Sequence, residues 1–198
     1  GKILDFSTKK IMGIVNISKD SFFDGGQYDT IDKVNKQVSK LISNGADIID
    51  LGAASSKPGS KLIKPEEEFN LIYNYINELT SNFSKVLFSI DTYNSSVADF
   101  ALSKGFSLVN DISSGKYDKN MFQVIKKHNA GYIMMHMKGD PINMQENINY
   151  DNVVDSIISF FKLKIQELEK LGFSNIIIDP GFGFGKSIND NYEILKNL

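Results

Sequence analysis

One pattern constrains this chain more than any other. Short apolar runs alternate six times with longer amphipathic stretches, and nearly every apolar run ends at a polar side chain. The runs at 11–15, 48–51, 86–90, 107–110, 131–135 and 176–179 have the length of buried strands. The stretches between them read as helices at about 31–44, 65–80, 95–104, 119–128, 152–171 and from about 189 onward, with ends good to about two to four residues. Asn44-Gly45, Lys104-Gly105 and Leu171-Gly172 mark helix stops. Pro65 before Glu66, Glu67 and Glu68 marks a helix start, since proline needs no donor there and acids suit the positive end; Asn189-Asp190 marks another. The acidic run Glu66–Glu68 reads as a solvated first turn.

Strands alternating with helices imply a parallel sheet with crossover helices. In such a sheet every strand ends on the same face. Asn16, Asp50 with Gly52, Asp91, Asn110 with Asp111, His136 and Asp179 close the six runs, so their side chains should converge there. That is the active-site layout of a (β/α)8 barrel. An open doubly wound sheet would also align its strand ends but would gather its ligand at a switch point. A full barrel needs eight strand–helix units and about 250 residues. The pattern alone leaves both open and the motifs described below favour the barrel, so the expectation for 1–198 is one α/β domain holding about six units of a TIM barrel, incomplete at its C-terminal side.

Composition removes several function classes. A net charge of −2 gives no reason to expect nucleic acid or an anionic membrane as partner. No apolar run approaches a membrane span and no secretory signal is visible. With no cysteine there is no disulfide, thiolate nucleophile or zinc–thiolate site, which fits a cytoplasmic protein. All 22 basic residues are lysines, so any site that calls for a guanidinium must here use an ammonium.

The motifs are more specific than the pattern. The first strand runs into Asn16, followed by Ser18, Asp20-Ser21-Phe22 and Asp24-Gly25-Gly26. Gly45-Ala-Asp-Ile-Ile-Asp-Leu-Gly52 leads into Ala53-Ala54-Ser55-Ser56-Lys57-Pro58-Gly59. Ser89-Ile-Asp-Thr-Tyr93, Asn110-Asp-Ile-Ser113, Met135-His-Met-Lys-Gly139 and Asp179-Pro-Gly-Phe-Gly-Phe-Gly-Lys186 come next, in that order. The last of these lacks both the Gly-x-Gly-x-x-Gly spacing of a dinucleotide loop and the Lys-Ser/Thr ending of a P-loop. Together the six motifs, spread over nearly the whole chain, resemble the dihydropteroate synthases, folate-pathway enzymes of the pterin-binding family and targets of sulfonamides. The chain departs from the family pattern at Ser18 (usually Thr), Lys19 (usually Pro), Ala53-Ala54 (usually Gly-Glu) and Lys57 (usually Arg).

The resemblance implies a reaction, a cofactor and a site. The family joins 6-hydroxymethyl-7,8-dihydropterin diphosphate to p-aminobenzoate and releases pyrophosphate. Asp179 is implied as the pterin anchor, because a carboxylate can accept two parallel N–H bonds from the aminopyrimidinone edge; as a bare residue it also reads as a strand-end cap for the next helix. Asp91 and Asn110 are implied at the remaining ring positions, with Asp91 at the reacting end; by position alone Asp91 also suits a helix cap near Ser95. Asn16 is implied as a ligand of Mg²⁺, an ion that accepts few protein ligands beside substrate phosphates. Lys57 is implied at the diphosphate, with the charge of the family arginine but not its two-pronged geometry. Phe22, Ser56 and Pro58 are implied around p-aminobenzoate, and Phe184 as a wall of the pterin pocket whose glycines let the backbone approach the ring. Lys186 is open between reaching the second substrate and lying in solvent. His136 reads as a structural hydrogen-bonding residue rather than a general base, and His128 as a helix-end cation. The family implies a homodimer. Two other readings stay open: a pterin-binding methyltransferase domain acting with a corrinoid partner, and a relative that holds a pterin without turnover.

Overall fold

The computed structural model describes residues 5–17, 31–53, 59–146 and 148–198. Six strands, β1 (Met12–Asn16), β2 (Ile48–Gly52), β3 (Leu87–Asp91), β4 (Leu108–Asp111), β5 (Gly131–Met135) and β6 (Ile176–Asp179), alternate with helices. The helices are α1 (Ile31–Ser43), α2 (Pro65–Asn82), α3 (Ser95–Ser103), α4 (Met121–His128), α5 (Val153–Lys170) and α6 (Ile188–Lys196). All strand pairs are parallel and their spatial order is the chain order, β1-β2-β3-β4-β5-β6. That order contains no reversal, which rules out the doubly wound alternative and gives six consecutive units of a (β/α)8 barrel.

Alternation along each strand separates two apolar layers. Ile49, Leu51, Phe88, Ile90, Val109 and Met134 point toward the helices and join the main core. The intervening residues face inward. Met12, Ile48, Leu87, Leu108, Ile133 and Ile177 form a separate apolar floor. The polar strand-end residues Asp50, Asn110 and Asp179 have the same parity and so lie above that floor.

The helices dock by narrow stripes. In α2 the buried residues are Glu68, Ile72, Ile76 and Leu79, one face at helical spacing. Glu68 was expected in a solvated turn; it is fully buried, while Glu66 and Glu67 are exposed. The reason is rotational position, since Glu68 lies one turn before Ile72 on the core-facing stripe. Two helix ends are set by backbone angle. Gly45 and Gly105 take φ of 97° and 108° with nothing within 4 Å of a Cβ, so glycine serves the angle rather than the space. The start of α6 differs from the expected Asn189-Asp190. Ser187 is the N-cap and forms a reciprocal capping box with Asp190. Among the described residues no helix is long and apolar enough to cross a membrane.

The α2 stripe gives a direct test of the helix–sheet core. Ile76 has no solvent exposure, and Ile76→Ala should lower the unfolding free energy by about 2–5 kcal/mol. Urea denaturation of parent and variant measures it; a loss below about 0.5 kcal/mol would mean the α2 stripe does not pack as described.

Candidate functional site

In-register pairing builds the mouth of the sheet. Asn16 pairs with Gly52, Gly52 with Asp91, and Asp91 with Asn110, so four strand ends form one row. Gly52 makes the row possible. A Cβ there would stand 3.0 Å from Asp91 Oδ2 and 3.1 Å from Asn16 Oδ1, so the two oxygens lean over a position that has no side chain. An amide oxygen and a carboxylate oxygen converging beside a glycine are hard donors of the kind Mg²⁺ accepts. The donor set therefore fits that ion.

One layer below, Asp50 is buried and accepts from Asn110 Nδ2 at 2.9 Å. Burial raises the Asp50 carboxyl above the usual range, against the opposing pull of the Asn110 bond. Asp91 keeps some solvent access as a residue, yet its carboxyl is held well above the usual range. Burial is the first cause, followed by the negative charges of Asp50, Glu68 and Asp111. Asp111 points away from the mouth and is fully used within the fold. It accepts from Ser113 N–H, Ser113 Oγ, Gly115 N–H and Tyr132 Oη at 2.7–2.9 Å.

Asp179 ends β6, and its Oδ1 accepts from Gly181 N–H at 2.8 Å. This bond lies within the turn after β6; the cap of the next helix is supplied by Ser187 and Asp190, not by Asp179. The Gly181 bond does not exhaust the carboxylate, which offers about four acceptor positions. The glycine turn after it serves the fold more than expected. A Cβ on Gly181 would lie 2.1 Å from His136 O, and one on Gly185 2.5 Å from Lys138 O. These glycines let the turn approach the β5–α5 backbone; Gly183 alone has open space beside it.

Lys186 corrects the sequence expectation. Its residue is buried, so it is not solvated, and its ammonium is engaged by backbone carbonyls. It donates to His136 O at 3.0 Å, Gly181 O at 2.8 Å and Phe184 O at 3.0 Å. Three donors meet three carbonyls. Burial lowers its pKa to about 8, with Asp179 and Asp190 opposing. Phe184 packs against Tyr93, Ile112 and Met135, which form an apolar patch of their own. That patch gives the mouth a wall suited to a flat ring.

His136 is buried. Its ring stands edge-on to Phe160 at 5.1 Å, and its Nδ1 has no partner among the described residues. Burial, then the Lys186 ammonium, lowers its pKa to about 4, so the ring is neutral near pH 7. The hydrogen bonding expected of its side chain is supplied by its backbone, whose N–H donates to Asp179 O at 3.0 Å. His128 ends α4 and meets Asp99 Oδ1 at 2.6 Å. Phe22, Ser56, Lys57 and Pro58 lie outside the described residues.

Four successive loops are joined around the mouth. Gly59 N–H donates to Pro141 O at 2.8 Å and Ile63 N–H to Tyr93 Oη at 2.7 Å. Tyr93 meets Tyr117 edge-on at 5.4 Å, and Tyr117 Oη donates to Asp140 Oδ1 at 2.6 Å. Sequence reasoning gave no chemical role to Asp50, Glu68 or this tyrosine pair. For Glu68 a signal existed: the 68, 72, 76, 79 spacing puts it on the apolar face.

With that geometry in place, comparison with known proteins is specific. Residues 12–198 match the family described as Pterin binding enzyme. The chain is 40% identical over 190 residues to a dihydropteroate synthase of Clostridium beijerinckii, covering 95% of this chain and 68% of that protein. It is 40% identical over 204 residues to a mitochondrial folate synthesis bifunctional protein of Arabidopsis thaliana, covering 100% of this chain but 37% of that longer protein. A crystal structure of the Yersinia pestis dihydropteroate synthase with a sulfonamide drug complex superposes with a TM-score of 0.93 at 33% identity, over 100% of this chain and 72% of that one.

The buried imidazole fixes a pH dependence. Below its ordinary 6.5 the unfolded chain binds a proton that the folded chain refuses until about pH 4. The His136 contribution therefore destabilises the fold progressively as pH falls through that window. Urea midpoints at pH 7 and pH 4.5 should drop more for the parent than for His136→Asn. Equal drops would mean that His136 titrates normally.

Proposed function

The chain belongs to the pterin-binding enzyme family, and from that premise we propose that it carries the dihydropteroate synthase reaction. The observation that carries the proposal is the convergence of Asn16, Asp91, Asn110 and Asp179 at the ends of β1, β3, β4 and β6, beside an apolar wall that includes Phe184. The Asp91 carboxyl, held above its usual range by burial and neighbouring acids, and the unused acceptor positions of Asp179 suit a ligand rich in N–H donors. The aminopyrimidinone edge of a pterin is such a ligand.

In this reading Asp179 accepts two N–H bonds from the pterin, while Asn110, oriented by Asp50, and Asp91 meet the other ring groups. Phe184 lies against the ring face. Lys186 holds the glycine turn in place and would meet the pterin by exchanging one of its three carbonyls for a ligand oxygen. Asn16, with Asp91 beside it, would hold Mg²⁺, which supplies positive charge to the departing diphosphate. Lys57 adds a second charge there. The bond from the pterin methylene carbon to the diphosphate oxygen breaks, and the conjugated ring stabilises the carbon left behind. The amine of p-aminobenzoate, bordered by Phe22, Ser56 and Pro58, attacks that carbon and then loses a proton to solvent. The role of the chain is to orient, to exclude water and to stabilise the leaving group. A cytoplasmic homodimer completes the proposal; light scattering on the purified protein tests the dimer.

Calorimetric titration of the pterin diphosphate and p-aminobenzoate, separately and together, with and without Mg²⁺, tests the reading. Asp179→Asn places a donor where the pterin presents donors and should weaken binding by about 1–3 kcal/mol; undiminished binding would remove the anchor. Lys57→Ala should weaken the diphosphate form and leave free pterin binding unchanged, while Lys57→Arg should bind at least as well as the parent. Identical affinities for all three would take Lys57 out of the site. Pterin binding with no turnover would favour a non-catalytic pterin binder.

A further inference from the structure

Glu68 is a costly residue where it stands. It occupies the core-facing stripe of α2 with 0% exposure, and an apolar side chain there would simply extend the row Ile72, Ile76, Leu79. Burial raises its pKa to about 6 even though two hydrogen bonds oppose the shift. Both bonds fall on one oxygen. Oε2 accepts from Thr92 Oγ1 at 2.9 Å and from Asn94 Nδ2 at 2.5 Å. These donors belong to the three-residue turn directly after Asp91.

That turn breaks a local rule. Asn94 is the N-cap residue of α3, a position where asparagine ordinarily caps, yet its side chain makes no cap bond. It turns to Glu68 instead, and Asp118 serves the helix end by accepting from Ser95 N–H at 2.9 Å. The Thr92 hydroxyl, while donating to Glu68, accepts from Asn94 N–H at 3.0 Å. Thr92 N–H donates to Asn110 O at 3.0 Å, which joins the same turn to the tip of β4. The Ile63–Tyr93 bond ties the residue between them to the segment entering α2. Every side chain of Thr92–Asn94 is therefore held from the α2 side.

We propose that Glu68 is a positioning residue that, through Thr92 and Asn94, fixes the turn carrying Asp91 and thereby sets how tightly the mouth holds a pterin. The proposal rests on the functional reading above for its ligand, but not for the turn itself. Local rule-breaking with a buried charge is expected where a site, rather than stability, dictates the residue.

Two substitutions separate positioning from packing. Glu68→Gln keeps an oxygen able to accept from both donors. Glu68→Leu fills the space but accepts from neither. In Glu68→Leu, hydrogen exchange of the Thr92 and Asn94 amides should accelerate by about tenfold or more, and affinity for 6-hydroxymethylpterin should fall by a similar factor. The thermal midpoint should stay near or above that of the parent. Glu68→Gln should restore both exchange and affinity to within about threefold of the parent. Unchanged exchange and affinity in Glu68→Leu would overturn the proposal, as would a Glu68→Gln variant no better than Glu68→Leu. If Glu68→Leu does not fold, Thr92→Val removes the bridging hydroxyl and is held to the same two criteria. A parent that fails to bind 6-hydroxymethylpterin would sink the functional reading, while the exchange measurement would still decide the role of Glu68.

Discussion

Parallel pairing in strict register is the constraint on which the rest depends. Slipping β2 by one residue against β1 and β3 would move Gly52 out of the row between Asn16 and Asp91. It would also turn Asp50 into the helix-facing core and Leu51 into the polar mouth. The apolar floor beneath the site guards against this, because Met12, Ile48, Leu87, Leu108, Ile133 and Ile177 meet only in the observed register. Packing of hydrocarbon in the lower layer thus determines where the polar atoms of the upper layers stand.

Among the described residues the charge distribution of the mouth is one-sided. Burial raises the proton affinity of Asp91, and the charges of Asp50, Glu68 and Asp111 add to that effect. The nearby ammonium of Lys186 is surrounded by three carbonyl oxygens rather than by these carboxylates. Such a site favours ligands that bring N–H donors or positive charge, and it repels a bare polyanion. A pterin diphosphate meets both conditions only with a cation at its phosphate end, which is why the hard oxygens of Asn16 and Asp91 across Gly52 matter to the reading.

The loops at the mouth are not independent. Backbone and tyrosine contacts link the segments after β2, β3, β4 and β5 in turn. Glu68 adds a buried link at the turn that carries Asp91. The glycines after β6 dock that turn against the β5–α5 backbone so closely that any Cβ at Gly181 would collide with His136 O. Rigid support of this kind holds a site to the tolerance that orientation requires.

The sequence by itself determined the class of fold, the six strand–helix units to within about two residues and the face on which polar residues gather. It could do so because these features are written in local periodicity and in the polar residue that closes each apolar run. Asn16, Asp91, Asn110 and Asp179 were legible because strand direction places them together whatever the side-chain detail. The tertiary structure decided the rest. Whether Lys186 meets solvent, substrate or backbone depends on three carbonyls from two separate loops. Whether Glu68 is a surface acid or a buried brace depends on which face α2 turns to the sheet, although its spacing from Ile72 already hinted at the answer. Whether Asn94 caps its own helix depends on a competitor from a different one. These are choices between partners distant in the chain, and no local pattern ranks them.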